Sequence, residues 1–367
     1  MRIQLATILR TLRNNSDSVH LRLRADVPAD VLAEAVREAI PEQVGGEPVS
    51  TWPPMPVPGA VVLYVSFAES GAALETFLAD LAARLPDSIG RGVIDTFRPV
   101  YSPVDRPGTD YFATAVVLSP RISETPAAAA RPTRDDVVPE ALDAVLRQAL
   151  EWCLVPGGAH FVRLGVTSLR AEPQQWDALL RSGFRDPHAS SAVTSADWPR
   201  IARQVIVTLD GQVVLLFGSG EGFDAPEAAL AEAGALMRAA APHVDHAFAF
   251  RTTRSLPDAP TLLQYAWPPL PDLRAGQLRR LRRLVGPRTY DAFGLQLLST
   301  EALEVVGPLT AFTRRPVDDR LTLLVHDEAE RWFAGGKPSA EELESARAEL
   351  APILLTAGDL ERAHPSP

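Results

Sequence analysis

The sequence predicts an α+β fold of duplicated ferredoxin-like sandwich modules. Three observations point there. Strand-type alternation and helix-type periodicity succeed one another along a 367-residue chain. Asp210-Gly211 between two apolar runs is a hairpin signal, and hairpins make antiparallel neighbours. A strand–helix–strand unit also recurs. VVLYV at 61–65 answers VVLLF at 213–217, an offset of 152, and DTF at 95–97 answers FAF at 248–250, an offset of 153. The alternative is an α/β doubly wound sheet, which the hairpin disfavours.

The first module covers 1–122. SVHLRLRADV alternates as a strand, and PADVLAEAVREAI follows as a helix. The segment from AVVLYV to DTF reads strand, helix, strand, and DYFATAVVLS is a further strand. The opening MRIQLATILRTLRNN is not a signal peptide: Arg10 and Arg13 interrupt the apolar run, and no small-residue cleavage site follows.

A Pro/Ala-rich linker is expected over 123–137, since SETPAAAARPTRDD at 123–136 has no apolar periodicity. The C-terminal α+β domain then covers 138–367, with a helical insertion around 273–306. At its start Leu142, Val145, Leu146, Leu150 and Cys153 recur on one helical face, so the lone thiol is expected to be buried. QVIVTLDGQVVLLF is the hairpin, APEAALAEAGALMRAAAP a helix and HVDHAFAF a strand. The stretch 289–307 reads as two short helices, the second starting at Ser299 or Thr300. The C-terminal stretch reads as a strand (LTLLVH), a loop and a long helix, with Ser339 and Glu342 forming a capping box.

Composition bounds the function. Apolar residues make up 46 % and charged residues 22 %, as in ordinary globular proteins. A chain this long can bury a sizeable core without metal or disulfides, and Cys153 alone allows no intrachain disulfide. A net charge of −10 argues against nucleic-acid binding, which rests on phosphate neutralisation. No stretch approaches 18 uncharged apolar residues, so no membrane span is expected, and a cytoplasmic location follows as the expectation.

Catalytic and ligand motifs are weak. Gly218, Gly220 and Gly222 stand between a strand and a helix, but as GxGxG rather than GxGxxG. His243 and His246 have metal-like spacing only on a helix, and their context is strand. HDEAE gathers His326, Asp327, Glu328 and Glu330 behind a strand, where acid–base chemistry has a place, though a solvated loop is the plainer reading. Lys337 lacks the rest of a phosphate loop, and neither GxSxG nor HExxH occurs. No cofactor, metal or catalytic residue is expected.

Two features suit contact with a protein partner. WPPMP at 52–56 and WPPLP at 267–271 place Trp52 and Trp267 beside stiff proline turns. RAGQLRRLRRLVGPR at 274–288 puts Leu278, Leu281, Leu284 and Val285 on one helical arc and Arg279, Arg280, Arg282 and Arg283 on the other. The expectation is a non-catalytic binding module of immunity or inhibitor type that neutralises a partner. The alternative is a small-molecule enzyme with its pocket at a domain interface.

Overall fold

A computed structural model describes residues 1–15, 18–41, 43–44, 47–66, 71–99, 112–122, 137–165, 167–184, 190–197, 200–208, 211–220, 225–252, 288–334, 338–356 and 358–359. Its main elements run in this order. The first part holds β1 (Arg2–Ile3), α1 (Leu5–Asn15), β2 (Ser18–Ala25), α2 (Ala29–Ala39), β3 (Ser50–Thr51), β4 (Met55–Val57), β5 (Ala60–Ser66), α3 (Gly71–Arg84) and β6 (Gly92–Thr96). Then come β7 (Phe112–Pro120), α4 (Pro139–Cys153), β8 (Ser191–Asp197), β9 (Arg200–Val207), β10 (Val213–Gly220), α5 (Pro226–Ala240) and β11 (Val244–Thr252). The last part holds β12 (Leu295–Ser299), α6 (Thr300–Val306), β13 (Phe312–Pro316), β14 (Leu321–His326), α7 (Ala329–Ala334) and α8 (Ala340–Leu350). The fold is α+β, with largely antiparallel pairing as the hairpin signal suggests, and a parallel pair, β1 with β6.

The chain forms two compact units. One comprises 1–101 with 162–189, the other 102–161 with 190–367.

In the first unit β2 lies between β5 and β6 and is antiparallel to both, and β4 pairs with β5 on its outer side. The connection β5–α3–β6 therefore crosses over β2, and β2–α2–β4–β5–α3–β6 has the ferredoxin-like βαββαβ order. Alternation along β2 explains its two faces. Leu21 and Leu23 are fully buried in a core with Val36, Leu63, Phe77, Leu81 and Ile94. Arg22 and Arg24 point the other way, and both hold the carboxylate of Asp95 at 2.8 Å. Burial works against that carboxylate, but the two guanidiniums outweigh it and hold its pKa below the usual range.

The second unit repeats the order. Here β7 lies between β10 and β11, antiparallel to both, and β9 pairs with β10. The sequence β7–α4–β9–β10–α5–β11 is again βαββαβ, with 154–199 inserted after α4. The segments matched by offset in the sequence, 61–65 with 213–217 and 95–97 with 248–250, fall on topologically equivalent strands. Shared order does not by itself make the units copies of one ancestor, because every βαββαβ unit has it. The hairpin forms, with Val207 facing Val213, but the Thr208 N–H donates to the Gln212 carbonyl at 2.9 Å, so three residues rather than the two of a tight primed turn connect the strands, and Gly211 takes the last of these positions with a positive φ of 75°. Beyond β11 the sheet continues through β12 and β14 to β13 at its edge.

One expectation is corrected. The first of the two helices read over 289–307 is strand β12, while the second is α6, capped by the Ser299 hydroxyl accepting from the Ala302 N–H at 3.1 Å. LQLLS is too short for its period to decide, and pairing with β11 and β14 makes it a strand. The loop expected after β14 also contains the short helix α7. The linker at 123–136 lies outside the described residues. Its flanks meet, with Ile122 bridging Val137 and the Val138 N–H donating to the Arg121 carbonyl at 2.8 Å.

Candidate functional site

A groove of about 450 Å³ opens in the second unit between α5, α7 and the face of β12, β14 and β13. Sheet pleating selects its floor. Thr313 faces Val325 and Arg315 faces Leu323 across β13 and β14, and Leu295 faces Val325 from β12, so all five side chains share one face. Leu230, Ala231, Gly234 and Arg238 of α5 form the opposite wall. Gly234 matters for its lack of a side chain: a Cβ there would sit 3.3 Å from Arg238 Nη1, so the glycine lets Arg238 fold back along its helix.

The groove is polar at both ends and apolar between. Arg320 at the start of β14 donates to the Ala241 carbonyl at 3.1 Å, so the C-terminal end of α5 lies at that end of the strand. Arg238, one turn of helix before that end of α5, and Arg315 of β13 both line the groove. At the other end β14 runs out into Asp327, and Glu330 follows on α7. Thr313 donates its hydroxyl proton to Asp327 Oδ1 at 3.0 Å, which fixes the carboxylate and leaves Oδ2 available. Among the described residues Arg238, Arg315 and Glu330 form no ion pair.

His326 lines this end, but its ring is clamped. It stacks on Trp332 at 4.3 Å, meets Phe312 edge-on at 4.9 Å, and its Nδ1 accepts from the Glu328 N–H at 3.1 Å. Burial lowers its pKa against the pull of Asp327 and its acidic neighbours.

The outer edge of β13 is the second notable surface. The Asp327 N–H donates to the Ala311 carbonyl and the Val317 N–H to the Leu321 carbonyl. Antiparallel alternation then turns the backbone groups of 313 and 315 toward β14, and those of Phe312, Arg314 and Pro316 outward. Pro316 stands where its missing N–H breaks no ladder bond. Thr313, Arg314, Arg315 and Pro316 are all exposed. Glu349 of α8 holds the start of the strand, accepting from the N–H groups of Thr310 and Ala311 at 3.1 Å each.

The residues singled out in the sequence fall elsewhere. Trp267, Arg279, Arg280, Arg282 and Arg283 lie outside the described residues, as do Gly222 and Lys337. Trp52 is half-buried in the first unit, and its N–H donates to the Tyr64 carbonyl at 3.1 Å, continuing the pairing beside β5. Gly218 has a φ of 66° at the β10 bulge and belongs to the strand. Cys153 is fully buried, and burial pushes its thiol up to about 12, so it is a core residue as expected. His246 is buried in β11 with Nε2 3.2 Å from the Thr289 hydroxyl. Among the described residues no three metal-ligating side chains come together, and no helix is long and apolar enough to cross a membrane.

Of the groove residues, HDEAE stood out in the sequence and Arg238, Thr313 and Arg315 did not. Their only signal is local: Gly234 four residues before an arginine on a helix, and charges within the five-residue strand FTRRP.

No known family model, curated protein or solved structure matches the chain.

Proposed function

We propose that the protein is a non-catalytic binding module that takes an extended segment of another protein along the open edge of β13. The outward backbone groups of Phe312, Arg314 and Pro316 carry this reading. An exposed strand edge with unspent donors and acceptors is a template for a further strand, and main-chain bonds then supply the affinity. Arg314, whose guanidinium donates to the Leu303 carbonyl at 3.1 Å and to the Gly307 carbonyl, keeps a positive charge beside this edge of an otherwise acidic chain, which favours an acidic segment. A module of this kind neutralises its partner by occupying it.

The buried polar groups of the second unit fit a scaffold. Arg347 holds Asp291 through two hydrogen bonds of 2.8 and 2.7 Å, yet burial still leaves that carboxyl raised. Both residues are engaged in tying α8 to the segment after Arg288.

Arg314→Pro tests the edge. It removes one outward N–H and suits a strand edge. Arg314→Ala, which loses the same side-chain bonds to the Leu303 and Gly307 carbonyls but keeps the N–H, is the control. A stoichiometric partner that wild type retains from its native host after crosslinking is expected to be retained by the alanine variant and lost by the proline variant, at melting temperatures within a few degrees of one another. Equal retention by the proline variant would overturn the reading.

A further inference from the structure

We propose that the groove between α5, α7 and the β12–β14–β13 face binds a short zwitterionic peptide of about three residues, its ammonium at Asp327 and Glu330 and its carboxylate at Arg238 and Arg315. This site is separate from the outward backbone edge, since Thr313 and Arg315 serve it through their side chains.

The charge order carries the inference. A purely anionic ligand would meet two carboxylates at one end, and a purely cationic one two guanidiniums at the other. A dipolar ligand satisfies both. The ends are far apart: Asp327 lies opposite Ala311, and Arg315 is four residues further along, about 13 Å of strand. The ammonium and carboxylate of a free α-amino acid share one carbon and cannot span this. Three extended peptide residues span about 10 Å, and the long arginine side chains cover the remainder.

The floor agrees with a peptide. Leu295, Leu323 and Val325 offer apolar surface to side chains between the two charged ends, and Leu230 faces them from α5. A volume near 450 Å³ is in the range of small-molecule sites. The acid end is already oriented, because Thr313 holds one oxygen of Asp327 and leaves the other to the ligand.

Calorimetric titration with the tripeptide Ala-Leu-Ala tests the site in the full chain. The free peptide is expected to bind, and its N-acetylated and C-amidated forms each to bind at least tenfold more weakly. Asp327→Asn keeps the acceptor for Thr313 and removes the charge, and it should abolish the penalty for N-acetylation alone. Arg315→Gln should abolish the penalty for amidation alone. Both positions are on the surface, and unchanged melting curves would show that the variants fold. Absence of binding at millimolar peptide overturns the proposal. So does equal binding of the blocked peptides, or equal binding of 6-aminohexanoate, which has the two charges without a peptide chain. Neither substitution touches the outward backbone of β13, so partner retention and peptide binding fail independently.

Discussion

His246 shows how a single residue sets a pH limit on the fold. Burial pushes its imidazole down to about 3, while the unfolded chain keeps a value of about 6.5. Between those values the unfolded state binds a proton that the native state refuses. Stability from this group is therefore complete above about pH 6.5 and falls by about 1.4 kcal/mol per pH unit as the pH drops toward the folded value. Denaturant unfolding of wild type should lose about 2 kcal/mol between pH 7 and pH 5 beyond what His246→Gln loses. Parallel losses in the two proteins would show that the imidazole takes up its proton without unfolding. The sequence placed His246 on a strand, and that was enough to set aside a metal role. Its depth was not legible, because burial here depends on Tyr290 and Phe248 packing around the ring at 5.8 and 5.5 Å.

At the scale of elements, local chemistry was legible and pairing was not. Ser339 and Glu342 form the reciprocal capping box read from their spacing, with the Glu342 N–H donating to the Ser339 hydroxyl at 3.2 Å and the Ser339 N–H to the Glu342 carboxylate at 2.8 Å. Ser339→Ala should cost about 1 kcal/mol in equilibrium unfolding, and Ser339→Asp should recover most of it. A neutral alanine change would mean that α8 is held by its buried face alone. Strands with clean alternation, such as β2, declared themselves, as did helices with a full apolar stripe, such as α4. The apolar run of β12 did not, because four or five residues satisfy both periods and only long-range partners decide. The open edge of β13 was hidden for the same reason. Which side of a strand carries spent hydrogen bonds follows from the neighbour it acquires, and among the described residues β13 pairs with β14 alone, across a turn at the margin of the sheet.

For the whole molecule, the order of connections has a testable consequence. The Pro/Ala-rich stretch 123–136 separates β7 from α4, yet β7 is the central strand of the second βαββαβ unit, bonded to β10 on one side and β11 on the other. A single proteolytic cut within 123–136 should leave two pieces that stay together through gel filtration and separate only in denaturant. Separation under native conditions would mean that the two ladders around β7 cannot hold it without the covalent link. The groove illustrates the limit of sequence reading at this scale. Its acid end is contiguous in HDEAE and could be noticed. Its basic residues Arg238 and Arg315 come from positions 77 apart, and only the crossover and the added edge strands bring them to opposite sides of one groove.

The interleaving of the units also bears on how the chain is made. The first unit needs 162–189 as well as 1–101, so a ribosome must deliver 189 residues before that unit is complete. At about 5–20 residues per second this takes roughly 10–40 s. By the end of that interval β7 and α4 have been synthesised, while β10 and β11, the strands that flank β7, have not. From the synthesis of residue 120 until that of residues 220 and 252, an apolar strand with unpaired edges is part of the nascent chain, and the cell must shield it until translation supplies its neighbours.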